Sequence, residues 1–286
     1  MSSQTATLMG LGIMGAGMAR RLLGGGFALT VYNRDRRKAD ELASAGAQVA
    51  SSPREAAMRS QVIVCMVADD AASRALWLGE EGALAGVPRG ATLIECSTLS
   101  VDWVRELAAA AAARGCELLD APVTGSQSHA AAGELNFLVG GPASALEKAR
   151  PALSVMGRSI AHLGPNGSGA LMKLINNFLC GVQAASLAEA LRLIERGGLN
   201  VEQAVDVLTS GAPGSPIFKT ISGRARERDF TPKFRLRLMV KDLAYAVQEG
   251  ERHGTALSTA KNALDVFQRA AAAGAGEQDF SAILKT

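Results

Sequence analysis

The stretch "TATLMGLGIMGAGMARRLLGGGF", residues 5–27, limits the possible folds more than any other part of the chain. A short apolar run leads into Gly10, Gly12 and Gly15, and these open a segment with helical spacing. GxGxxG alone is a short pattern that chance can produce, but a strand before it and a helix after it make a strand–turn–helix unit. In that setting Gly10 makes the tight turn, Gly12 lets a pyrophosphate reach the backbone, and Gly15 lets helix and strand pack closely. Leu11, Ile13 and Met14 complete the candidate cofactor-binding turn. The competing reading is a glycine-rich connection with no ligand.

The rest of the first half continues the theme. "ALTVYN", "QVIVCMV", "ATLIECS", "ELLDAPV" and "LNFLVGG" read as buried strands. Between them lie helical segments such as "SVDWVRELAAAAAARG", with Ser100 as cap and Gly115 as terminator. Alternation of this kind predicts an α/β fold, a Rossmann-type doubly wound, mostly parallel sheet. The pattern breaks at "HLGPNGSGALMKLINNF". One long helix is predicted from Gly169 to Glu195, then helices over Val201–Ser210, Ile217–Arg226, Leu238–His253 and Ser258–Ala273, with no strand. The expected domains are therefore 1–164, binding the dinucleotide, and 165–286, an all-α C-terminal domain joined by the long helix.

The net charge of +3 comes from 30 basic and 27 acidic residues mixed along 286 positions, so nothing supports a nucleic-acid partner. Cys65, Cys96, Cys116 and Cys180 lack CxxC or Cys/His spacing, which argues against a metal site or a disulfide framework. The opening "MSSQTATLMG" shows no basic segment before an apolar run, and no later stretch is long and uncharged enough to span a bilayer. The expectation is a cytoplasmic protein with no membrane partner.

About 20 residues after the turn, where an acidic residue would hold the ribose of NAD, the chain has "VYNRDRRK". A carboxylate there repels a 2′-phosphate, whereas Asn33 and Arg34 can bind one, the arginine as a fork. The expected cofactor is NADP, with NAD possible. Asp35 is unfavourable beside a phosphate unless it caps the following helix and points away.

Three later segments carry unusual polar residues. In "DAPVTGSQSHAAAGELNF", Thr124, Gly125 and Ser126 follow a strand and could offer backbone N–H groups to an anionic substrate, or Ser126 could simply cap a helix. In "LMKLINNF", Lys173 and Asn177 are four apart and share a helix face. Hydride addition to a carbonyl builds negative charge on oxygen, which an ammonium can relieve by giving a proton while an amide orients the substrate. Lys173 reaching out to solvent is the alternative. Lys241 and Asp242, in "FRLRLMVKDLAYA", read first as an ordinary exposed pair on a helix. His129, His162 and His253 form no triad or metal spacing and are taken as structural or surface residues.

Taken together, "GLGIMGAGMA", "NR", "ECSTLS", "DAPVTGS", "GSGALMKLINN" and "KDLAYA" resemble, in order, the β-hydroxyacid dehydrogenase family, in its 3-hydroxyisobutyrate dehydrogenase-like and glyoxylate/succinic semialdehyde reductase-like branches. The resemblance implies an active site in a cleft, with Lys173 as catalytic lysine and Asn177 as its substrate-orienting partner. It implies substrate binding by Thr124 and Gly125, and by Phe234 and Asp242 in the late segment. Val67 and Ala68 would line the cofactor, Thr98 would lie near the nicotinamide ribose, and Lys241 would contact the cofactor. The implied activity is NADPH-dependent reduction of a small aldehyde or 2-oxo acid, reversible as a 3-hydroxyacid dehydrogenase, in a homodimer or homotetramer. Family members with Asn-Arg at the ribose position commonly continue with threonine, where this chain has Asp35. Thr124 stands where serine is common. Two other readings of the same fold are an imine reductase, which typically lacks a lysine at the position of Lys173, and a non-catalytic NADP-binding regulator, which would not need one.

Overall fold

A computed structural model describes residues 4–285; Met1–Ser3, the start of the opening segment, lie outside them. The chain divides into two compact units, one ending at Lys173 and the other beginning at Leu174.

In the first unit the strands are β1 (Thr5–Met9), β2 (Ala28–Tyr32), β3 (Gln48–Val49), β4 (Val62–Cys65), β5 (Thr92–Glu95), β6 (Glu117–Asp120), β7 (Val123–Thr124), β8 (Leu135–Gly140) and β9 (Gly157–Gly164). They form one sheet in the order β3-β2-β1-β4-β5-β6-β8-β7, with β9 on β8. Pairing is parallel except where β8 meets β6 and β7. The helices between are α1 (Gly15–Gly24), α2 (Arg36–Ala43), α3 (Pro53–Ala57), α4 (Asp70–Trp77), α5 (Ala83–Gly86), α6 (Val101–Ala113), α7 (Gln127–Ala132) and α8 (Ala143–Met156). Ser100 caps α6 as expected, accepting from the Trp103 N–H. The apolar faces of α1 and α8 bury Met18, Leu22, Leu146 and Leu153 against Leu8, Val31, Ile94 and Phe137 of the sheet.

The register sets the position of everything that follows. Met9 pairs with Tyr32 and with Cys65, Cys65 with Glu95, and Glu95 with Asp120. Five parallel strands thus end level, and their exits gather at one sheet edge, where open α/β sheets bind ligands.

Helix α9 (Ser168–Arg196) contains the division between the units. The second unit adds α10 (Val201–Ser210), α11 (Pro216–Glu227), α12 (Leu236–Arg252) and α13 (Ser258–Ala270), then a π-helical turn (Ala271–Ala275) and a 3-10 turn (Phe280–Lys285). Its core gathers Leu187, Ile221, Leu236, Leu243, Phe267 and Ile283. A buried pair, Arg224 Nη1 to Asp279 Oδ2 at 3.2 Å, ties α11 to the closing segment, and the same Oδ2 accepts from the N–H groups of Lys233 and Phe234. No helix among the described residues is long and apolar enough to cross a membrane.

Candidate active site

Two of the three turn glycines are required by the protein itself. Gly10 has φ +90°, and a Cβ there would run into the Met66 carbonyl oxygen; a Cβ on Gly15 would run into the Gly10 carbonyl oxygen. Gly12 is different: it is exposed, and a Cβ would meet no protein atom within 4 Å. Packing therefore does not explain a glycine at 12, but a ligand that must approach the backbone does. Beside it, Met14 precedes α1 with no side-chain cap, and the first turn of α1 has no acidic residue, so the positive helix end stays open to an anion. The turn fits a dinucleotide pyrophosphate.

Buried Leu11 and half-buried Ile13 and Met14 seat the turn. Asn33 holds it from the end of β2: its Oδ1 accepts from the Leu11 N–H at 2.9 Å, and its Nδ2 donates to the Asp35 carbonyl at 2.8 Å. Most of its amide is thereby spent on shaping the turn. Arg34 is exposed and has no ion pair among the described residues, whereas Arg36 pairs with Asp40 and Arg37 with Asp35. Asp35 meets the first part of the condition set by the sequence. It caps α2 through the Arg37 N–H, and the Arg37 guanidinium grips both its oxygens at 3.0 Å, holding its carboxyl below the usual carboxylate range.

Val67 and Ala68 leave β4 half-buried, with Val67 beside Gly10, and the Val67 N–H donates to Ser97 Oγ at 2.8 Å. Half-buried Thr98 follows at the exit of β5. Thr124 ends β7 with Oγ1 accepting from Asn136 Nδ2, and exposed Gly125 turns the chain at φ +128°. The Ser126 N–H is not free for a substrate, because it donates to His129 Nδ1 at 3.1 Å, and Ser126 stands at the N-cap position of α7.

Sequence reasoning passed over Asp120. Its carboxyl is fully buried and receives the N–H of Gly167 on Oδ1 and of Ala170 on Oδ2, both at 2.9 Å. The end of β6 thus anchors the first turn of α9, one turn before half-buried Lys173. Burial still pushes the Asp120 carboxyl above the ordinary range, against those two bonds. Its signal was a carboxylate closing an apolar strand, "ELLD".

In the second unit Asn177 is only 6% exposed and Asp242 fully buried, joined by Asn177 Nδ2 to Asp242 Oδ2 at 2.5 Å. Asn176 Nδ2 donates to Asn177 Oδ1. Lys241 Nζ lies 2.8 Å from Asp242 Oδ1, close as an ion pair without hydrogen-bond alignment, and 4.9 Å from the Tyr245 ring centroid. The ordinary exposed Lys-Asp pair read from the sequence is thus corrected: α12 turns Asp242 into the core, where a charge must be paired. The Asn177 amide has a second N–H besides the one given to Asp242. Phe234 packs edge-to-face on Phe280, 5.8 Å between centroids, so within this unit its ring serves the core.

Residues 5–164 match the model of the NAD-binding domain of 6-phosphogluconate dehydrogenase, and 167–286 match that of the NAD-binding region of NADP-dependent 3-hydroxyisobutyrate dehydrogenase. The chain is 36% identical to NAD-dependent L-serine dehydrogenase of Pseudomonas aeruginosa, covering 97% of this chain and 95% of that protein. It is 32% identical to glyoxylate/succinic semialdehyde reductase 1 of Arabidopsis thaliana, with coverage of 97% and 96%. The solved structure of 3-hydroxyisobutyrate dehydrogenase from Mycobacterium tuberculosis with L-serine superposes with a TM-score of 0.89 at 32% identity, over 99% of both chains.

Proposed function

The chain belongs to the β-hydroxyacid dehydrogenase family and is an NAD(P)-dependent enzyme acting on CH–OH donors, and from that premise we propose an NADPH-preferring reductase of small aldehydes or 2-oxo acids with Lys173 as proton donor. The observation that carries the reading is the pairing, one helical turn apart on α9, of half-buried Lys173 with an Asn177 whose amide is locked by Asp242. An ammonium beside an oriented amide suits a carbonyl oxygen that gains negative charge.

When bound, the nicotinamide cofactor supplies the hydride. Within the first unit, Gly12 and the open N-terminus of α1 would receive its pyrophosphate, and Val67, Ala68 and Thr98 would line it further along; in the second unit, Lys241 is the residue that would contact it. Thr124 and Gly125 anchor the substrate's carboxylate, and Asn177 donates its remaining N–H to the carbonyl oxygen. Lys173 then passes a proton to that oxygen, and in the oxidative direction takes it back.

NADPH preference is supported by Arg34, the exposed cation of "NRDRR" left without a carboxylate, beside an Asp35 already neutralised by Arg37. Oxidation of L-serine is a second reading, favoured by the relative that carries that activity in its name. Serine and 3-hydroxyisobutyrate share HO–CH2–CH–COO⁻, so one site chemistry serves both.

The test follows absorbance at the reduced nicotinamide band with glyoxylate, succinic semialdehyde, methylglyoxal and cyclic imines in one direction, and L-serine and 3-hydroxyisobutyrate in the other. Carbonyl turnover with NADPH is expected, and turnover of cyclic imines alone would refute it. Lys173→Ala should lower kcat about 10²- to 10⁴-fold with NADPH affinity nearly intact. Substantial remaining kcat would remove Lys173 from the role of proton donor.

A further inference from the structure

Strand β5 ends in Glu95, a carboxylate with no solvent exposure in the middle of the sheet. It accepts three hydrogen bonds: Oε2 from Ser73 Oγ at 2.7 Å and from Trp77 Nε1 at 2.8 Å, and Oε1 from the Ser97 N–H at 2.9 Å. Ser73 in turn accepts from Trp103 Nε1 at 2.9 Å. All of these groups are at most 2% exposed. The chain holds only two tryptophans, and both indole N–H groups end in this network.

The network has a direction. From Glu95 it runs through Ser97, whose Oγ accepts from the Val67 N–H, into the β4–α4 loop, and the same backbone bond at Ser97 sets the start of the segment that presents Thr98. A second stitch joins the two loops further out, where Ser100 donates from N and Oγ to the two oxygens of Asp70 at 3.0 and 2.5 Å. On the outside Arg74 closes α4 onto α6, pairing with Glu106 and lying 4.0 Å from the Trp103 ring centroid. The carboxylate also helps keep the neighbouring Cys65 thiol protonated, with burial the larger cause, so that cysteine carries no nucleophilic role.

A buried carboxylate with three donors is expensive unless all three are used, and a hydrophobic strand end would pack as well. What it adds is alignment: one atom pair fixes helix α4 and the exits of β4 and β5 against one another. We propose that Glu95 is the positioning residue of the nicotinamide-side wall, acting through Ser97 to hold Val67, Ala68 and Thr98 where the cofactor needs them. The inference rests on the cofactor reading of those three residues.

Glutamine at 95 keeps the shape and reverses the chemistry. Whichever way its amide turns, an NH2 faces at least one of the N–H donors of Ser97 and Trp77, and that donor loses its acceptor. Calorimetric titration of the ligand-free protein with NADPH is the primary readout, and tryptophan emission the second. Glu95→Gln should raise Kd for NADPH about tenfold, alter emission, and leave kcat at saturating NADPH within about twofold. Adding Trp77→Phe removes the clashing donor and should restore most of the affinity. Ser97→Ala, a smaller change, should raise Kd severalfold without altering emission. If Glu95→Gln and Ser97→Ala bind NADPH as the wild type does while only melting earlier, Glu95 is a core residue and the inference is overturned. A wild type that binds neither NADPH nor NADH would overturn the cofactor reading itself.

Discussion

Substituting alanine at each glycine of the nucleotide turn in the ligand-free protein separates what the fold needs from what the ligand needs. At Gly12 an added methyl meets no protein atom within 4 Å, and φ lies outside the positive region. The folded state gains no clash while the unfolded chain loses freedom, so Gly12→Ala should stabilise by about 0.4–1 kcal/mol. For a unit of this size that raises Tm by about 1–4 °C. The same methyl stands between the backbone and a pyrophosphate. Losing one N–H bond to a charged oxygen costs about 1.5–3 kcal/mol, or about 10- to 150-fold in Kd for NADPH. Gly10→Ala is the opposite case. With φ +90° and the Met66 carbonyl oxygen in the way, strain and overpacking together cost about 2–6 kcal/mol, lowering Tm by at least about 4 °C. Gly15→Ala should also destabilise, through the Gly10 carbonyl oxygen. Thermal unfolding followed by circular dichroism without ligand, with calorimetric titration of NADPH, reads both quantities. If Gly12→Ala melts as early as Gly10→Ala, or binds NADPH with wild-type affinity, position 12 is not reserved for a ligand.

Arg34→Ala should raise KM for NADPH about tenfold or more and change KM for NADH little; equal effects would show that the arginine reads something other than the 2′-phosphate. Arg37→Ala releases the Asp35 carboxylate from its fork, so steady-state kinetics should show NADPH weakened several-fold more than NADH, with the gap narrowing at high salt. An unchanged NADPH/NADH ratio would mean Asp35 never faces the phosphate. Asp120→Asn sets an NH2 against a backbone N–H of Gly167 or Ala170 and should cost about 1–3 kcal/mol in urea unfolding. Because burial raises the folded pKa of Asp120, its proton binds more tightly in the folded protein. That contribution is complete below the ordinary carboxylate pKa and is lost as pH rises through the raised one. The stability gap between wild type and Asp120→Asn should therefore narrow as pH rises across that window, and a gap that widens would contradict the assignment.

What the sequence by itself determined was whatever local periodicity and backbone chemistry encode. The β-branched runs and the glycine turn specified a parallel sheet with its nucleotide turn, and the 3.6-residue period specified the helices, Val201–Ser210 to the residue. The two-residue β3 and the exposed β9, "GRSIAHLG", escaped that reading, because a strand with little apolar alternation exists only through its partner. Tertiary structure decided which polar groups meet. Lys241 and Asp242 look like any surface pair until α12 buries the carboxylate against Asn177. Asn33 looks like a ligand contact until its carbonyl is found on the Leu11 N–H. Glu95 and Asp120 are single carboxylates at strand ends: Glu95 receives donors 18 and 22 residues away, and Asp120 donors 47 and 50 residues away. A buried charge is tolerable only where distant donors converge, and that convergence belongs to the packed chain.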